Sequence, residues 1–216
     1  GEEMADIDSQ KFPAFERHPQ LLDPKRSALI VIDIQSVLLQ FIWEKEKLVR
    51  NTGYMLEISE IHNLPTILTE HNPAGLGPTD PALIEILKKH HAGYNPIHKD
   101  IFSCCGHAEF RDALEATGRN QIIITGMETH ICINQTVLDL IHMGYEVHVV
   151  EDAVRARWKK SHKTAIKKMR VAGAIICDWE MAAYELTYGA KTSKFKKLLA
   201  LMKKAKSDCE TADEKD

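Results

Sequence analysis

Apolar positions along this chain fall into two rhythms that take turns. Five short runs rich in apolar residues, at 27–35, 65–69, 121–125, 146–151 and 174–178, have the character of strands buried in a sheet, and the short, semi-extended stretch 94–99 reads as a further strand, third in chain order. Stretches with apolar residues every three or four positions, at 46–61, 82–89, 109–116, 137–143, 161–172 and 192–206, predict helices. Gly118, Gly144 and Gly173 stand where helices should stop, and Ser161 stands where one should be capped. The alternation predicts an α/β fold: a three-layer, doubly wound, Rossmann-like six-stranded parallel sheet with helices on both faces. One domain is expected over 24–206, with a polar arm at 1–23 and a disordered acidic tail at 207–216. The segment 70–81 holds three prolines and two glycines and reads as a sharply turned loop.

Composition narrows the function classes. A chain of 216 residues with 44% apolar content can bury one substantial core. Its formal net charge of -3, with both signs mixed along the chain, offers nothing to draw nucleic acid or an anionic membrane. No apolar run approaches the length of a bilayer span, and the acidic first residues lack a signal core. Cys104, Cys105, Cys132, Cys177 and Cys209 show no paired framework and no metal-ligand spacing, which points to a reducing, cytoplasmic setting. The expected partners are a small-molecule substrate and further copies of the same chain. The arm and the lysine-rich last helix have no evident task inside one domain, so a closed homo-oligomer is expected.

Candidate chemistry sits at strand ends. Asp33 closes the first run, Lys99 the third, and Cys132 follows the fourth where a helix begins. Ligands of doubly wound sheets bind at that edge. Unpaired N–H groups, the helix dipole and Lys99 would together favour thiolate over thiol, so a lowered Cys132 pKa is expected, with Asp33 to accept its proton. Each residue also has a plain reading: a small buried hydrophobe, a turn-capping carboxylate, a solvated lysine.

The segments Val31-Ile32-Asp33-Ile34-Gln35, Lys99 and Gly126-Met127-Glu128-Thr129-His130-Ile131-Cys132-Ile133 resemble, in that order, the signatures of the isochorismatase-like cysteine hydrolases. That family includes nicotinamidases, N-carbamoylsarcosine amidases and ureidoacrylate hydrolases, and the resemblance runs from about Ser27 to Ile176. The loop from Thr69 to Thr79 looks closest to the isochorismatase-domain-containing branch, which has no settled substrate. The resemblance implies a triad of Asp33 as base, Lys99, and Cys132 as nucleophile. It also implies a non-proline cis peptide at Met127–Glu128 and an oxyanion hole from the N–H groups of Glu128 and Cys132. Members of the family form dimers, tetramers and octamers.

Two departures sharpen the expectation. Isochorismate-cleaving members lack the cysteine, so Cys132 argues against vinyl-ether hydrolysis. Metal-dependent nicotinamidases carry Asp-x-His after the second strand, where this chain has Glu70 and Asn72, with His90 or His91 as a distant third ligand. Asn is a poor ligand for Zn²⁺, so no metal and no other cofactor is expected. The expected activity is hydrolysis of a small amide-like or ureido-like C–N bond through a Cys132 thioester. Phe41, Trp43 and Phe102, on loops beside strand ends, are candidate pocket walls or else core or dimer contacts, and Thr129 is a further candidate substrate contact. The alternative is a non-catalytic binding or scaffold protein on the same fold. A thiol redox protein built on Cys104-Cys105 ranks third, because adjacent cysteines rarely form an unstrained disulfide.

Overall fold

The computed structural model describes residues 15–212; the expectations for 1–14 and 213–216 lie outside the described residues. Six parallel strands form one sheet: β1 (Ser27–Ile32), β2 (Thr66–His71), β3 (Ile97–Lys99), β4 (Gln121–Met127), β5 (Glu146–Arg155) and β6 (Ile175–Cys177). Their spatial order is β3-β2-β1-β4-β5-β6. The chain winds outward from β1 in one direction, then restarts at β4 on the other side. The crevice beyond the carboxyl ends of β1 and β4 is therefore the topological switch point.

Why β1 lies at the centre follows from its side chains. All six residues are buried, and alternate ones serve opposite faces. Leu29 and Val31 join one core with Leu48, Met55, Leu56, Leu83 and Leu198. Ala28, Ile30 and Ile32 join the other with Phe110, Leu114, Val137, Ile166 and Met169. The first core is covered by α2 (Lys45–Ile61), α4 (Pro81–Lys88), α8 (Trp179–Thr187) and α9 (Ser193–Thr211). The second is covered by α5 (Ala108–Ala116), α6 (Asn134–His142) and α7 (Lys159–Ala172). Two single-turn helices, α1 (Ser36–Leu39) and α3 (Pro73–Leu76), stand at the switch-point edge, and a π turn, Thr129–Ile133, joins β4 to α6.

Several boundaries differ from the sequence reading. Strand β2 runs two residues past Thr69, so Glu70 and His71 belong to the sheet. Strand β3 begins only at Ile97, because Pro96 has no N–H for the ladder. Strand β5 continues to Arg155 through an irregularity: Ile124 pairs Val149, while Gly126 pairs Val154. Helix α7 starts at Lys159 with no side-chain cap, so Ser161 is not its cap; His162, packed on Trp43 and bonded to Thr129, holds that first turn down. Gly173 does close it, at φ 113°. Helix α8 was not foreseen; Asp178 caps it, accepting the Met181 N–H at 2.7 Å.

The last helix also corrects the expected tail. It runs to Thr211, so residues 207–211 are helical, tied by the Tyr54 hydroxyl to Asp208 and by Lys204 to Glu57 at 2.7 Å. Its apolar side, with Leu198, Leu201 and Ala205, packs within the domain. The arm from Phe15 onward lies on the domain's own surface: Leu22 is buried, and the N–H groups of Leu22 and Asp23 donate to Glu185 and Gln121. Among the described residues, no helix is long and apolar enough to cross a membrane.

Candidate active site

Asp33 leaves β1 in a left-handed conformation, φ 53°, which Asp tolerates better than most side chains. Its N–H donates to Thr69 O at 3.1 Å, and its Oδ1 accepts the Thr69 hydroxyl at 2.8 Å. Lys99, the last residue of β3, has a fully buried side chain whose ammonium donates to Asp33 Oδ2 at 2.7 Å. The same ammonium stands 2.9 Å from Ile101 O, 3.1 Å from Phe102 O, 3.3 Å from His71 Nδ1 and 3.8 Å from Cys132 Sγ. A buried charge is tolerable only when so thoroughly partnered. Burial alone would pull Lys99 down; Asp33 and the neighbouring thiols outweigh it and hold the group above its ordinary value.

Cys132 lies within the π turn, 8% exposed. Its thiol is pushed well above the ordinary cysteine range, by burial first and by the Asp33 carboxylate second, with Lys99 pulling the other way. The expected lowering by helix terminus and lysine is thus reversed, because the thiol is desolvated and bonded to an anion. Beside the Lys99–Asp33 ion pair, burial and the neighbouring carboxylate favour the thiol form of Cys132 over the thiolate. Iodoacetamide labelling of Cys132 should therefore rise with pH without levelling near the free-thiol value of about 8.5. Asp33→Asn removes the second-largest cause and should speed labelling at neutral pH; unchanged or slower labelling would contradict this charge assignment.

A cavity of about 180 Å³ opens over these groups, lined by Asp33, Gln35, Leu38, His71, Leu76, Phe102, Met127, Glu128, Ile131 and Cys132. Of the candidate walls, only Phe102 is among them; it stacks on His71 with ring centroids 5.5 Å apart. Phe41 is 62% exposed and outside the lining. Trp43 is drawn away by the Arg155 guanidinium, 4.6 Å over its ring, and by His162. Thr129 is buried against His162 Nδ1 at 2.8 Å. Burial, then Arg155 and Lys163, push His162 down to about 4, so a neutral ring anchors the turn. The Met127–Glu128 peptide is cis, and the Glu128 carboxylate accepts from the N–H and Nε of Arg157 at 2.9 and 3.2 Å.

Gln35, Leu38, His71, Leu76, Met127 and Ile131 line the cavity but were not among the site residues predicted from sequence. Gln35 had a signal: it closes the 27–35 run that carries Asp33. Its amide donates to His71 O at 2.9 Å and Gly77 O at 2.8 Å and accepts the His71 N–H at 2.7 Å. Glu70 Oε2 accepts both the N–H and the hydroxyl of Thr79 at 2.8 Å, along with the Tyr94 hydroxyl. Gln35 and Glu70 thus staple the proline-rich loop over the sheet edge and deliver Leu76 to the cavity.

Two side-chain groups have metal-ligand proximity among the described residues: Asp33, His71 and Cys132, and Glu60, His90 and His91. Neither fits. In the first, the Lys99 ammonium already stands within 3.8 Å of all three side chains and supplies the positive charge. In the second, His90 accepts the Ala92 N–H at Nδ1 and meets Ser59 Oγ at Nε2, leaving no free lone pair. Glu70, aligned with a nicotinamidase ligand position, is consumed by Thr79 and Tyr94.

Residues 27–181 match a family model described as the isochorismatase domain. A Dictyostelium discoideum protein, isochorismatase family protein 1B, is 32% identical over 189 residues, covering 86% of this chain and 90% of that one. Among solved structures, one described as the MAR1 ribonuclease of Caenorhabditis elegans has 35% identity and a TM-score of 0.77, covering 83% of this chain and 91% of that one. The Escherichia coli YcaC gene product, described as an octameric hydrolase of unknown specificity, has 28% identity and a TM-score of 0.78, covering 87% and 91%.

Proposed function

The chain belongs to the isochorismatase family, and from that premise we propose that it is a cysteine hydrolase cleaving a small amide-like or ureido-like C–N bond. One observation carries the reading: a buried lysine whose ammonium stands 2.7 Å from a carboxylate and 3.8 Å from a thiol, beneath a small cavity. In this reading Asp33 takes the Cys132 proton as sulfur attacks the substrate carbonyl, so the thiolate exists only while it reacts. The carbonyl oxygen becomes an oxyanion held by the N–H groups of Glu128 and Cys132, each such donor being worth about 3 kcal/mol in comparable sites. Asp33 returns the proton to the departing nitrogen, the C–N bond breaks and a thioester remains. Water, deprotonated by Asp33, breaks the C–S bond and releases the acid, and the sulfur recovers its proton. Lys99 keeps its charge throughout and holds Asp33 in place.

At about 180 Å³ the cavity is smaller than the roughly 300–1,000 Å³ typical for drug-sized ligands. This supports a substrate of few heavy atoms over a nucleotide chain. The octameric state of the Escherichia coli relative supports a closed homo-oligomer, and the five free cysteines suit the cytoplasm. Turnover on a panel of primary amides and carbamoyl compounds tests the reading. Cys132→Ala should abolish it, and a trapped acyl adduct should appear on Cys132 by mass spectrometry. Activity should survive exhaustive chelation; loss that Zn²⁺ restores would overturn the metal-free mechanism. Full activity in Cys132→Ala would overturn the nucleophile, and absence of turnover across the panel would favour a binding protein.

A further inference from the structure

We propose that His71 is the hydrogen-bond donor that recognises the substrate, and that the substrate carries a second carbonyl or carboxylate oxygen close to the scissile amide. This rests on the hydrolase reading of the same cavity. The inference begins with Lys99. An ammonium offers only donors, and His71 Nδ1 faces it at 3.3 Å. Nδ1 is therefore presented as a lone pair, which places the ring proton on Nε2. The main chain of His71 is clamped by Gln35 on both its N–H and its C=O, and its ring is stacked on Phe102. The ring has little freedom to turn that donor elsewhere.

The rest of the lining shows why this donor matters. Leu38, Leu76, Phe102, Met127 and Ile131 offer no polar side-chain atoms except the Met127 thioether. Both amide hydrogens of Gln35 are spent on His71 O and Gly77 O. The three Lys99 donors are shared among Asp33, Ile101 O, Phe102 O and His71 Nδ1, so none is left for a ligand. Among the side chains lining the cavity, His71 Nε2–H is the donor that no protein group takes. His71 is half-buried, and a ligand that fills this largely apolar cavity without accepting from the ring covers the donor and leaves it desolvated without a partner, so such a ligand is rejected. A His71 ring nitrogen lies within 4.8 Å of Cys132 Sγ, so the ring stands beside the attacking sulfur and the matching acceptor belongs to the same small molecule, near the carbon that sulfur attacks.

Three amides of matched size separate the possibilities: isovaleramide, with no second acceptor; malonamide, with a neutral one; and malonamate, with a carboxylate. Binding is measured by calorimetry in the Cys132→Ala background, and turnover in the presence of Cys132. Malonamide or malonamate should bind at least about tenfold more tightly than isovaleramide, and which of them leads distinguishes the carbonyl from the carboxylate source. Adding His71→Phe, which keeps a flat ring against Phe102, should shrink that ratio to near one. His71→Gln, which keeps a donor, should retain part of it. A ratio unmoved by His71→Phe, a preference for isovaleramide, equal loss in the Phe and Gln variants, or no binding of any of the three overturns the proposal. Acceptor-selective binding without turnover overturns the hydrolase reading and leaves recognition by His71 standing; turnover without acceptor preference does the reverse.

Discussion

Gly126→Ala is expected to destabilise the protein by more than about 4 kcal/mol, beyond the usual range of single substitutions. Gly126 lies in β4 between two strands, paired to Ile32 of β1 and to Val154 of β5. Its φ is +130°, a conformation that L side chains rarely adopt, and a Cβ there would stand 2.1 Å from Ile32 O. That neighbour is backbone, at the centre of the sheet, so relief requires β1 and β4 to part. Ile32 immediately precedes Asp33, so the carboxylate would move with it, and misplacement of a reacting group by 1 Å can cost about 10²-fold in rate. The melting temperature should fall on the order of 10 °C or more, and any folded fraction should have lost most of its turnover. A variant melting within about 2 °C of the parent would show that the strands tolerate the clash.

The sheet was legible because burial on both faces leaves a mark on sequence: every position of β1 and β4 is buried, and Ala28 to Ile32 and Ile122 to Ile124 are unbroken apolar runs. The positions of Asp33, Lys99 and Cys132 were legible for a related reason. Each follows or ends such a run, and parallel strands bring their carboxyl ends to one edge. What sequence did not carry was direction and company. Trp43, like Phe102, lies in the segment that follows a strand end carrying a site residue, yet Arg155, on an extension of β5 that no periodicity announced, draws its ring away. His71 was invisible because β2 was read as ending at Thr69. The charge state of Cys132 was misjudged because helix dipole and lysine could be inferred from neighbouring letters, whereas its burial and the approach of Asp33 could not.

Lys99→Met should damage stability and catalysis through separable causes. The lysine side chain is fully buried and Asp33 is 5% exposed, so the substitution leaves a carboxylate without its counter-ion inside the protein. Breaking a buried pair from one side costs about 3–5 kcal/mol, most of it the desolvation of the abandoned charge. Asp33 can relieve that cost only by taking a proton, and a protonated Asp33 cannot accept one from Cys132. Turnover should therefore drop by several orders of magnitude even in molecules that remain folded. The double variant Asp33→Asn/Lys99→Met tells the two effects apart. It removes both charges, so thermal stability should return most of the way to that of the parent, while turnover stays lost. Were the double variant no more stable than Lys99→Met alone, the pair would not be the source of the destabilisation. Were Lys99→Met to keep full activity with a normal melt, the ammonium would have no part in holding Asp33 ready as the base for Cys132.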